Sequence, residues 1–123
     1  MHLKFGLALV LLAGGVLPAL AQQADCQAPI PPAAPDGRSS TQAQMVAAAG
    51  DARNFIAQSD AYQSCLVEYV KAQKDLATKN KTTFDKSIED DAMKKITENQ
   101  QEKVKVGADI NGAIAAFKAS HPN

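Results

Sequence analysis

Between residues 41 and 79, apolar and small side chains recur with the period of an α-helix. Written as heptads, the a positions are Met45, Ala52, Ser59, Leu66 and Gln73, and the d positions are Ala48, Phe55, Tyr62, Tyr69 and Leu76. Ala49, Ile56, Val70 and Ala77 at e widen this seam into the stripe of a core-facing helix. No proline interrupts the span, and its interior glycine, Gly50, lies off the stripe. Thr41 and Gln44 have the spacing of a capping box, in which each side chain satisfies a backbone N–H at the helix start. Such a helix is roughly 58 Å long, too long to bury its stripe without a partner of matching length.

A second stripe supplies that partner. Asn80-Lys81-Thr82-Thr83 breaks the pattern with turn and cap residues, and Thr83 is expected to cap a helix beginning near Phe84. Phe84, Ile88, Ala92, Ile96, Val106, Ile110, Ala113, Ile114 and Phe117 form its apolar face. It is expected to end near Lys118 or Ala119, before Pro122, with the Lys118 charge favourably placed against the helix dipole. The periodicity permits a break near Thr97 or Gly107. Matching lengths and a short link predict an antiparallel hairpin. In that register Gly107 falls opposite Phe55 and is read as leaving room for the ring. Asn99 and Lys103 fall opposite Gln63 and Ser59, with Tyr62 nearby, so the middle of the seam is wet. A polar layer that sets register is the first interpretation, and a small-ligand pocket is the alternative.

Ahead of the hairpin, Pro29, Pro31, Pro32 and Pro35 forbid helix and favour an extended polyproline strap that turns at Asp36-Gly37. Such a strap is long enough to run back antiparallel along the first helix and bring Cys26 to Cys65. Further upstream, a short basic start with Lys4, an uncharged apolar run over 5–16 and Ala19-Leu20-Ala21 read as a secretory signal peptide cut after Ala21. The apolar run is shorter than the roughly 20 residues of a membrane span. Export to the periplasm or beyond places both cysteines in an oxidising space, where Cys26–Cys65 is expected as a disulfide. The expected organisation is a leader at 1–21, a Pro-rich strap at 22–40, a helical hairpin at 41–119 and a tail at 120–123. The fold class is all-α, two long antiparallel helices (about 41–79 and 84–118) with the strap pinned by the disulfide.

Charge and motifs narrow the function. Lys plus Arg and Asp plus Glu both number 13, with no basic patch, so nucleic acid is not an expected partner. Asp85, Glu89, Asp90 and Asp91 are carboxylates on one rigid helix, too few converging ligands for a calcium cage. Asp90 with Lys94 and Asp91 with Lys95 are instead expected as ion pairs one turn apart. His121 stands in the tail with no second His or thiolate beside it, so no metal is expected. No nucleophile–base–acid set is visible, so no enzyme and no cofactor are expected. Tyr62 and Tyr69 share a face, with hydroxyls reaching the seam edge. Together with Asn99 and Lys103 they are the candidate ligand or partner surface.

Ile96-Thr97-Glu98-Asn99-Gln100 resembles the Leu-Thr-x-x-Gln motif of small periplasmic helical stress chaperones. The stretch from Cys26 to Pro32, the core from Tyr62 to Leu66, and Glu102 to Gly107 with Asn111, Ala113, Phe117 and Lys118 resemble short secreted bacterial proteins of unassigned function. These resemblances imply a helical hairpin and leave the activity open. The expected role is that of an exported non-enzymatic protein acting by interaction, binding or chaperone-like, with an envelope protein or a second copy as partner. A small-ligand carrier using the polar mid-seam is the alternative.

Overall fold

The computed structural model describes residues 26–123; the expected leader at 1–21 and the first residues of the expected strap lie outside the described residues. Two helices, α1 (Gln42–Lys79) and α2 (Lys86–Ser120), pack as a hairpin, with no strand among the described residues. At the start of α1 the capping box is complete. The Gln44 N–H donates to Thr41 Oγ1 at 3.2 Å, and the Thr41 N–H donates to Gln44 Oε1 at 2.8 Å. α1 ends with Thr82 N–H donating to the Ala77 carbonyl at 2.9 Å and Lys81 N–H to the Thr78 carbonyl at 3.1 Å. This closure needs a left-handed residue at Lys81, whose φ is 53°.

α2 begins two residues later than its pattern suggests. Asp85, rather than Thr83, is the cap: its carboxylate accepts from the Ser87 hydroxyl at 2.7 Å and the Ser87 N–H at 3.0 Å. A carboxylate also meets the positive end of the helix dipole, which a threonine hydroxyl does not. Those two bonds, the hydroxyl one first, hold the Asp85 carboxyl below its ordinary range. α2 then runs unbroken through Thr97 and Gly107 to Ser120. His121 stands in the tail, exposed, as the C-cap of α2. Its backbone N–H and its ring Nδ1 both reach the Phe117 carbonyl, at 3.0 and 2.9 Å, and its ring stacks on Phe117. The Asp91–Lys95 pair forms at 2.8 Å, whereas Asp90 pairs backwards with Lys86 and Lys94 pairs forward with Glu98.

The seam holds two apolar clusters. Ala52, Phe55, Val106 and Ile110 form the one nearer the helix start of α1; Tyr62, Leu66 and Ala92 form the one nearer the connecting turn. Contacts of Lys74 with Glu89, Gln63 with Asn99 and Asp60 with Lys103 fix the antiparallel register close to the one the stripes predict. Gly107 does not serve Phe55. A Cβ placed on it meets no heavy atom within 4 Å, so it looks beside the seam and not into it.

The strap takes a path that the pattern does not give. Cys26 is bonded to Cys65 with the Cα atoms 5.6 Å apart. Residues 26–30 lie against α1, but 31–37 cross to α2. There the Gly37 backbone touches the α2 backbone so closely that a Cβ would sit 1.9 Å from the Ala113 carbonyl oxygen. The turn that returns the chain to α1 is held by Asp36. Its carbonyl accepts from the Ser40 hydroxyl at 2.6 Å, and its side chain accepts from the Arg38 N–H at 3.0 Å. The strap therefore covers one flank of the seam from Cys65 toward the start of α1 and leaves the opposite flank open.

Candidate functional site

Three places on the hairpin are candidates, and the residues singled out from sequence fall in two of them. The first is the middle of the seam. Asn99 is 3% exposed and Ser59 fully buried, and the Asn99 amide donates to Ser59 Oγ at 3.1 Å. Gln63 Nε2 donates to Asn99 Oδ1 at 2.9 Å and, more weakly, to Gln100 Oε1 at 3.3 Å. One turn along, Lys103 pairs with Asp60, with only 17% of its side chain exposed. Every buried side-chain nitrogen and oxygen among the described residues has a hydrogen-bond partner. Asn99 and Lys103 are thus neighbours, as expected, in a polar layer closed on itself. Such a layer resists slippage, because any shift strands a buried amide.

The second place is the flank beneath the strap. Tyr62 is buried and packs with Cys26 in the second apolar cluster, whereas Tyr69, half-buried, lies one turn beyond Cys65, past the end of the described strap. Both tyrosines lie within electrostatic reach of Lys95. The hydrogen bond from Lys95 to Asp91 holds its ammonium above the ordinary lysine range, and the tyrosines add to that. The tyrosines therefore do not join Asn99 and Lys103 in one site. Over Tyr62 runs the strap, where Ile30 is 88% exposed. A recess of about 660 Å³ opens between Pro31, Pro35 and the α2 residues Val106 and Ala113.

The third place is the open groove, which the sequence pattern does not single out. Leu66, Val70, Ala92 and Ile96 form its floor, and Val67 and Met93, each 54% exposed, form its walls. Val67 at a b position and Met93 beside the stripe were its available signals, apolar residues on faces expected to be polar. The slot holds about 310 Å³. Lys71 and Lys74 stand on its α1 rim and Glu89 on its α2 rim.

Among the described residues no group of three or more His, Cys, Asp or Glu side chains could hold a metal ion. No described helix is long and apolar enough to cross a membrane. Set against protein-family models, curated proteins and solved structures, the chain matches none.

Proposed function

We propose that this chain is an exported, non-enzymatic helical hairpin that works by contact with another protein of the envelope, in a binding or chaperone-like role. Its contact surface is the strap. The observation that carries this is Ile30: a large apolar side chain, 88% exposed, on an extended segment fixed at both ends. One end is the bond to Cys65 and the other is the Gly37 contact with α2.

Proline fixes φ at 29, 31, 32 and 35, and the residue before each proline is pushed to extended backbone. Residues 27–35 enter none of the backbone hydrogen bonds found outside the helices. A segment already extended, with its carbonyls free, has little entropy left to lose on docking. It suits a partner groove lined with aromatic rings, the usual receptor for polyproline ligands.

A photo-crosslinking residue at position 30, used in the native secretory fraction, tests this. One dominant adduct is expected, and it should disappear in the Cys26→Ser/Cys65→Ser chain, whose strap is untied. Adducts no different from those formed by the same residue at exposed Gln42 would refute the proposal.

A further inference from the structure

On the face away from the strap, we propose that the open groove is a binding site for a single-chain anionic amphiphile, such as a medium-chain carboxylate. Three observations point to this ligand. The slot is apolar along its floor and walls, from Leu66 and Ala92 out to Val67 and Met93. Leu66 and Ala92, both buried, close its floor, and Val70 packs against them.

The slot is also short. At one end the Lys74–Glu89 pair, at 2.7 Å, bridges from α1 to α2. At the other end Gln63 with Gln100 and Asp60 with Lys103 do the same. Along α1 these closures stand about 16 Å apart. A docked helix, about 10–12 Å across and continuing past both ends, would have to ride over them. A flexible chain fits between them. An apolar cavity of about 150 Å³ takes a benzene ring, so twice that volume suits a chain of about a dozen carbons.

The third observation is charge. Glu89 is answered by Lys74, and Lys71 on the same rim makes no ion pair among the described residues. Glu68, beyond Val67, faces the neighbouring shallow recess. Of the three charged residues that line the slot, Lys74 and Glu89 answer each other and Lys71 is left to meet a ligand, which favours a carboxylate head over a cationic one.

The test is a titration of the intact, oxidised protein carrying ¹³C-methyl methionine. Octanoate, decanoate and dodecanoate, and the dodecyltrimethylammonium ion as the opposite charge, are added below their micelle thresholds. Met93 lines the slot and Met45 is buried near the far end of α1, so the two methyls report site and background separately. The expected result is a saturable one-to-one shift of Met93 with Met45 still. Affinity should rise about twofold per methylene from octanoate to dodecanoate, half the effect of full burial. The cationic chain should bind several-fold more weakly, and Lys71→Glu should reverse that preference. Val67→Glu, at an exposed position, should abolish the shift while leaving helicity unchanged. Equal binding of both charges, equal movement of Met45, no saturable shift, or binding only with dimer formation in sedimentation would each overturn the proposal.

Discussion

Adding one methyl group at Gly37 should cost more stability than adding it at any of the helical glycines should gain. A Cβ at Gly37 would lie 1.9 Å from the Ala113 carbonyl oxygen, 2.8 Å from the Phe117 nitrogen and 2.9 Å from the Ala113 carbonyl carbon. All three are main-chain atoms inside α2, so no side-chain rotation relieves the clash. The strap must lift off the helix, and the turn held by Asp36 and buried Ser40 shifts with it. Overpacking of this kind costs about 1–3 kcal/mol, and rigid backbone on both sides puts Gly37→Ala toward the upper value. For a chain of this size that lowers Tm by roughly 8–20 °C. Gly107→Ala and Gly112→Ala are the internal controls, since a Cβ at either meets nothing within 4 Å. Each removes a flexible residue from a helix interior and should stabilise by about 0.5–1 kcal/mol. Urea and thermal unfolding followed by circular dichroism at fixed, oxidising conditions gives all three values. Gly37→Ala within about 0.5 kcal/mol of the parent, the range of an ordinary surface change, would refute the reasoning.

Further expectations follow from the seam, the bond and the cap. Asn99→Ala leaves the buried Ser59 hydroxyl without its partner and should destabilise by about 1–3 kcal/mol. Ser59→Ala/Asn99→Leu should recover most of that, and denaturant titration of the single and double variants decides it. Reduction opens a loop of sequence separation 39, worth about 4 kcal/mol in the chain-entropy account; an unchanged Tm in reductant would contradict this. The Asp85 carboxyl is held low in the folded state, so its stabilising effect is full above its unfolded value near 3.8 and fades as pH falls through the folded value. Asp85→Asn keeps a capping oxygen but should lose that acid-side slope in stability measured against pH.

Much of the fold was legible because it rests on repeating local signals. The stripe from Met45 to Leu76 and its counterpart from Ala92 to Phe117 require two long helices, and their lengths require a hairpin. The capping box at Thr41 and the polar opposition of Gln63 with Asn99 are read from spacing alone. What was not legible depends on direction or on contact far along the chain. Thr83 and Asp85 are both good caps, and only the position of Ser87 relative to the carboxylate decides between them. Gly107 stands near Phe55 in register, yet its missing side chain would point past the ring. Gly37 looks like any turn glycine, and nothing local reveals that its partner is the α2 backbone more than 70 residues later. The open groove was hidden for the same reason: Val67 and Met93 gain meaning only once the two helices are set side by side and bring them to one slot.

That placement of the strap is the central claim, and nuclear Overhauser contacts of Gly37 test it most directly. In the oxidised protein the Gly37 α protons should show cross-peaks to the amide proton of Phe117 and to the Ala113 spin system, while Ile30 shows none to α2. Gly37 α protons with contacts only to their chain neighbours, or to α1 alone, would contradict the account.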